Sequence, residues 1–379
     1  MNYPIYLDYN ATTPCSDEVV SAMIPYFSHH YGNAASKSHP FGWMAENAVE
    51  HARECIASMI GARTKEIIFT SGATEAINLA IKGVFDHYGD ERQHFISCQT
   101  EHKAVIDTLK SIEERGAEIT FLPVDSQGQI DLIELESSIR PYTKMIALMW
   151  ANNETGLIHP IDKIAKIAEK HQVIFFTDAV QAAGKLPINV SGIHMLALSG
   201  HKIYGPKGVG ALYIRHNHEL PKPVSQIVGG GHEKGFRSGT LNVPSIVGFG
   251  KAAELADSHF KERFEKIGSL RNHLEKGILE IEGTTLNSGQ TNRLNNVSNI
   301  SFQGIEGEDL LRELNREVAV SSGSACTSIS PKPSHVLAAM GIDSDLARAS
   351  VRFSIGKTTT KEEINSVISI VKEVVGRLK

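Results

Sequence analysis

Four short stretches carry side chains able to do chemistry. "SGATEAIN" (71–78) is a run of small residues entering a helix, which offers backbone N–H groups and a favourable dipole to an anion such as phosphate. A plain helix cap at Ser71 or Thr74 is the simpler reading of that stretch alone. Asp178, in "TDAVQAAG", closes an apolar run, where a carboxylate is costly unless a cation or donor meets it. A capping role would explain it equally well. Lys202 follows His201 in "SGHKIYGPKG". Solvated, it is an ordinary lysine; desolvated, its pKa falls and its amine becomes a nucleophile able to form a Schiff base. Cys326 sits in "VSSGSACTS" (320–328) among hydroxyl, glycine and alanine neighbours, with no Lys, Arg or His beside it. Packing cysteines occupy apolar faces, whereas this one lies in a turn-and-loop composition.

These residues need elements to hold them. From about 60 to 215, β-rich runs ("EIIFT", "HFISC", "EITFL", "MIALMWA", "VIFFT", "GALYI") alternate with helical patterns, the signature of a mainly parallel sheet covered by helices. Ile77, Ile81, Val84 and Phe85 form one helical stripe opposite Glu75, Asn78 and Lys82. After "GGGHEKGFRSGT" (229–240) the pattern changes to a long charged helix at about 261–282, isolated strands such as "NVSNISF" and "ASVRFSIG", and a closing helix from about 360. The expected organisation is α/β, with an N-terminal arm (1–15) packing with the small domain, a large domain (16–258), and a smaller α+β domain (259–379) carrying the cysteine loop (320–332).

In such sheets ligands sit outside the carboxyl ends of the strands, and there the first three stretches converge. A phosphate cradle, an acid for a pyridinium nitrogen and an amine for an aldehyde are together the needs of pyridoxal phosphate. "SIGKTTT" (354–360) is a false nucleotide signal, because Val351 stands where a phosphate loop needs its first glycine. A net charge of -5 gives no basic field, so neither nucleic-acid nor membrane binding is expected. The start "MNYPIYLDYNATTP" is no secretory leader and no later run would span a bilayer, so a cytoplasmic location is expected. Cys15, Cys55, Cys98 and Cys326 make no C-x-x-C, which argues against a resident metal or a disulfide framework. Cys55 and Cys98 are expected to pack; Cys15 is left open.

The segments "YLDYNATTP", "YGNAAS", "TSGATEAINLAIKG", "TEHKAV", "WANNETG", "TDAVQAAGK", "LSGHKIYGPKGVGALY", "GGGHEKGFRSGT" and "SSGSACTS" follow one another in an order that resembles the pyridoxal-phosphate-dependent cysteine desulfurases of the NifS and IscS type, across essentially the whole chain. The resemblance implies the fold type I architecture of aspartate aminotransferase, a homodimer, and conversion of L-cysteine to L-alanine with a persulfide on Cys326. It implies that Lys202 is the Schiff-base lysine, that Asp178 keeps the pyridinium protonated, and that His102 stacks on the ring and shuttles protons. Ala73, Thr74, Ser199 and His201 resemble the phosphate cradle, Asn153 and Gln181 the contacts to the ring hydroxyl oxygen, and Thr240 a phosphate contact supplied by the other subunit. Arg352 resembles the arginine that forks onto the substrate carboxylate, with Asn33 as its neighbour. A surface strand arginine would fit the alternation of Val351, Phe353 and Ile355 as well.

The implied partners are iron-sulfur scaffold proteins and sulfur acceptors for tRNA thiolation or thio-cofactors, and in some members the loop cysteine shares a cluster with the scaffold. A chain closing on "VVGRLK" leans toward the NifS side. A free thiol has a pKa of about 8.5, so Cys326 must borrow its proton acceptor from the site or the substrate. A selenocysteine lyase or another class-V enzyme would keep Lys202, Asp178 and the cradle. A non-enzymatic thiol carrier would need none of them.

Overall fold

The computed structural model describes residues 4–216, 221–258, 260–289, 292–322 and 333–379. Twelve strands run in chain order among them: β1 (Ile5–Tyr6), β2 (Ile67–Thr70), β3 (His94–Cys98), β4 (Glu118–Leu122), β5 (Thr143–Ala147), β6 (Ile174–Asp178), β7 (Met195–Ser199), β8 (Gly210–Ile214), β9 (Thr284–Leu286), β10 (Val297–Phe302), β11 (Val318–Ala319) and β12 (Ser350–Ser354).

Seven of them form one sheet in the order β2-β8-β7-β6-β5-β3-β4. The pairs from β4 through β7 are parallel, and β8 runs antiparallel to both neighbours. That inversion follows from the short, glycine-bearing return between Ser199 and Gly210, which has no room for a crossover helix. Alternate residues of β6 show how the sheet is buried on both faces. Phe175 enters one core with Ile146, Leu148 and Leu196, while Ile174 and Phe176 enter the other with Met145 and Ala197. Each buried phenylalanine is worth roughly 2–3 kcal/mol of transfer free energy.

The helix Ala73–Tyr88 buries the stripe Ile77, Ile81, Val84 and Phe85 against this sheet. A third core gathers around the antiparallel sheet β12-β10-β9, where Ile300, Phe302, Val351 and Phe353 meet Ile364, Val367 and Val371 of the helix Lys361–Leu378. That helix starts in a reciprocal capping box between Thr360 and Glu363. The arm joins the parts: β1 pairs with β11, Leu7 enters the third core, and the chain then crosses to the large sheet, where Thr13 N donates to His201 O.

Two expected elements end earlier than the sequence suggests. The run read as strand through Ala151 leaves the ladder after Ala147, although Leu148 and Trp150 still donate backbone hydrogen bonds to Phe176 and Asp178. The long helix spans Phe260–Leu279 rather than reaching 282, and Gly283 turns the chain at φ 79°. No helix among the described residues is long and apolar enough to cross a membrane.

Candidate active site

The carboxyl ends of β2, β3, β6 and β7 deliver the expected side chains to one place. β7 ends at Ser199, which is buried, and a short 3-10 turn (Gly200–Lys202) follows. Lys202 Nζ donates to Asn10 O at 2.7 Å and Ala11 O at 2.6 Å. His201 Nδ1 lies 3.1 Å from Thr12 Oγ1, and burial, then Lys202 and Lys207, bring its pKa down to about 4.

Asp178 closes β6 and is buried, with Oδ1 accepting from Val180 N at 2.9 Å. Burial pushes its carboxyl up, and the charges of His102 and Lys202 oppose the shift. His102 caps the helix Lys103–Glu113, its Nδ1 accepting from Ala104 N at 3.1 Å, and burial lowers its pKa while Asp178 raises it. The acid, the ring and the amine therefore lie within one electrostatic neighbourhood.

The helix Ala73–Tyr88 begins behind Gly72 with no side-chain cap. Gly72 has open space where a Cβ would stand, and Gly210 packs so closely behind it that a Cβ there would lie 2.6 Å from Gly72 C. The expected caps at Ser71 and Thr74 do not form: Ser71 N donates to Glu75 Oε2, and Thr74 offers only its carbonyl, to Asn78 Nδ2. The backbone N–H groups around Ala73 and Thr74 therefore have no side-chain cap.

Gln181 is buried, with Nε2 donating to Asn10 O at 3.0 Å. Asn153 O accepts from Asn10 Nδ2 at 3.0 Å and from Arg352 Nη1 at 3.1 Å. Arg352 is no surface residue: only 5% of it is exposed, Nη2 donates to Asp8 Oδ1 at 2.8 Å, and Nε is buried without a partner.

Two expected residues are not gathered in. Asn33 is exposed, and its Oδ1 accepts from Ala35 N. Thr240 is also exposed, at the end of a loop pinned by Arg53, which donates to both oxygens of the buried Glu233 at 2.8 Å, and by Arg237, which donates to Glu75 Oε1. Cys326 and its neighbours 323–332 lie outside the described residues. Of the other cysteines, Cys98 is buried in the core, and Cys55 and Cys15 pack against it half-buried.

Several groups at the site carry no sequence signal of their own. Asn10 is 1% exposed and makes hydrogen bonds with Ser354, Asn153, Gln181, Lys185, Lys202 and Asn296. Glu101, fully buried beside Asp178, has its pKa pushed up to about 8 by burial, and its Oε2 has no partner. Ser321 Oγ donates to Asp8 Oδ2, Ser334 Oγ to Glu154 Oε2, and His335 Nε2 lies 2.9 Å from Glu101 O. Both described flanks of the cysteine segment are therefore fastened at the site.

The sequence pattern of aminotransferase class-V matches residues 5–367. The chain is 50% identical to the cysteine desulfurase IscS of Anaeromyxobacter sp. (strain Fw109-5), over all of this chain and 94% of the relative. Among solved structures it is similar to a NifS-like protein, with 36% identity, a TM-score of 0.92, and coverage of 99% of this chain and 100% of that one. It is similar also to SspA in complex with cysteine, with 38% identity, a TM-score of 0.83, and coverage of 94% and 100%.

Proposed function

The chain belongs to the class-V aminotransferase family, and from that premise we propose that it is a pyridoxal-phosphate-dependent cysteine desulfurase converting L-cysteine to L-alanine and loading sulfur on Cys326. The observation that carries the reading is the carbonyl-held Lys202 amine acting electrostatically on both Asp178 and His102, with the uncapped turn at Ala73 beginning at the carboxyl end of β2.

The residues present suit the cofactor. Burial raises the Asp178 carboxyl pKa despite His102 and Lys202, a position that a protonated ring nitrogen would suit, and the open space at Gly72 suits a phosphate. Ala73, Thr74, Ser199 and His201 would hold that phosphate, with Thr240 of a second subunit, while Asn153 and Gln181 would meet the ring hydroxyl oxygen. When bound, pyridoxal phosphate supplies an electron sink for the pair of electrons left at Cα.

Lys202 is the group that takes and returns the Cα proton, held for it by the carbonyls of Asn10 and Ala11. His102, whose pKa burial lowers while Asp178 raises it, is the nearby ring able to move a second proton. Arg352 receives the substrate carboxylate through its unpartnered Nε. In the net step the C–S bond of cysteine and the S–H bond of Cys326 break, and an S–S bond on Cys326 and a C–H bond of alanine form. Cys326 lies five positions beyond Ser321, a reach of at most about 18 Å from an anchor already at Arg352.

A homodimer, cytoplasmic and delivering sulfur to an iron-sulfur scaffold or another acceptor protein, completes the reading. In some settings Cys326 would share a cluster with the scaffold. Exposed Ile24, Phe27, Tyr31, Phe41 and Trp43 give the dimer an apolar face; Phe27 and Tyr31 are 65% and 66% exposed.

The test is alanine and sulfide production from L-cysteine, with L-selenocysteine in parallel. Wild type should convert cysteine, Lys202→Ala should lose the reaction with both substrates, and Cys326→Ala should lose it with cysteine. Full cysteine turnover by Cys326→Ala would overturn the persulfide, and protein without a pyridoxal absorbance would leave only a thiol carrier.

A further inference from the structure

The last residue of "TDAVQAAGK" has no part in the chemistry described so far. Lys185 lies four residues beyond Gln181 in a run of turns, and its amine donates to Gln181 Oε1 and, at 3.1 Å, to Asn10 Oδ1. Burial, then Lys202 and Arg352, hold its pKa well below the usual lysine range.

The direction of both amides can be argued from their other ends. A backbone carbonyl only accepts, so the end of Gln181 lying 3.0 Å from Asn10 O is Nε2, which turns Oε1 toward Lys185. In the same way Asn153 O requires Asn10 Nδ2, which turns Asn10 Oδ1 toward Lys185 and Asn296 Nδ2. Two acceptor oxygens in a buried place need donors, and the Lys185 amine supplies an N–H bond to each. Asn10 is also the residue whose carbonyl holds Lys202 Nζ.

We propose that Lys185 is a positioning residue of this site: by bridging Gln181 Oε1 and Asn10 Oδ1 it fixes both amides, presenting Gln181 Nε2 to the cofactor and steadying the carbonyl that holds Lys202. The proposal rests on the functional reading above. It assigns Lys185 no contact with the substrate. It also gives Lys185 a different task from Lys202, although both amines lie in one pocket with Asn296 and Tyr9.

The experiment compares wild-type holoenzyme with Lys185→Met, which keeps the stem without a donor, and Lys185→Ala, with and without added ethylamine. The readouts are the cofactor absorbance band, the dissociation constant of pyridoxal phosphate and the melting temperature. The expected result is a shifted band and at least tenfold weaker cofactor binding in both variants. Ethylamine restores Lys185→Ala, whose cavity admits it, and leaves Lys185→Met unchanged. If Lys185→Ala does not fold, Lys185→Met carries the test through band and affinity. An unshifted band with affinity within twofold of wild type overturns the proposal, as does a loss in Lys185→Ala that ethylamine cannot restore. Wild-type protein that shows no cofactor band overturns the functional reading and the proposal together.

Discussion

Arg352 Nη2 donates to Asp8 Oδ1 at 2.8 Å, while Ser321 Oγ donates to the other Asp8 oxygen, so one carboxylate ties the arm to β12 and to the flank of the cysteine segment. Both charges are largely buried, and removing one would strand the other. Asp8→Ala should therefore cost about 2–4 kcal/mol in urea unfolding. Arg352→Lys should instead raise KM for cysteine more than tenfold with a smaller change in kcat, because an ammonium cannot fork onto a carboxylate. Equal losses in kcat and kcat/KM for Arg352→Lys would move the residue out of substrate binding.

Gly210→Ala tests the cradle from behind. The added Cβ would lie 2.6 Å from both Gly72 C and Leu198 O, and backbone cannot yield as a flexible side chain would. A loss of about 1–3 kcal/mol is expected from such overpacking. Because Gly72 leads into the uncapped turn, pyridoxal phosphate should also dissociate about tenfold more readily, as measured by dialysis and absorbance. A variant that loses stability but keeps full cofactor affinity would separate this glycine from phosphate binding.

Acid should weaken the fold before it protonates most carboxylates. His94, His159, His194 and His201 are held near pKa 4, chiefly by burial, against about 6.5 in an unfolded chain. Between those values the unfolded chain binds more protons. The stability these groups contribute is thus complete above pH 6.5 and is lost as pH falls toward 4. Urea midpoints measured from pH 7 to pH 4.5 should fall, the uptake of up to four protons by these histidines being partly offset by one proton each released from Glu101 and Glu154. His159 Nε2 has no partner to lose, so His159→Leu should remove about one proton from that uptake.

Much of this was open to reading from sequence. Parallel strands buried on both faces appear as apolar runs, and that is why β6 and the run ending at Ser199 were visible and why Asp178 and Lys202 could be expected at their ends. Asn10 was not, because hydrogen bonds to residues 143 to 344 positions away leave no local trace in "YLDYNATTP". β1 and β11 escaped for another reason: two residues cannot show a period. The uncapped turn at Ala73 is the reverse case. Local chemistry favoured a cap at Ser71 or Thr74, and the close approach of Gly210 to Gly72, which decides the backbone there, is a tertiary fact.

Glu101 offers the sharpest pH test. Its carboxyl is fully buried, Oε1 accepts from Met149 N at 2.6 Å, and burial holds its pKa at about 8. In the unfolded chain it ionises near pH 4.3. The folded state therefore binds the extra proton between about pH 4.5 and 8, and this group makes stability decline as pH rises through that window, opposite in sign to the histidines. Glu101→Gln keeps an acceptor for Met149 N and removes the titration, so it should gain on wild type steadily up to pH 8, reaching about 1–3 kcal/mol after the cost of its own unpaired amide donors. Urea unfolding of both proteins at pH 5, 6.5 and 8 measures the difference. Because Asp178 lies close enough to raise the Glu101 pKa, the wild-type cofactor band should also change near pH 8, and in Glu101→Gln that change should vanish. A constant stability gap across the three pH values would mean that Glu101 is already ionised in the fold.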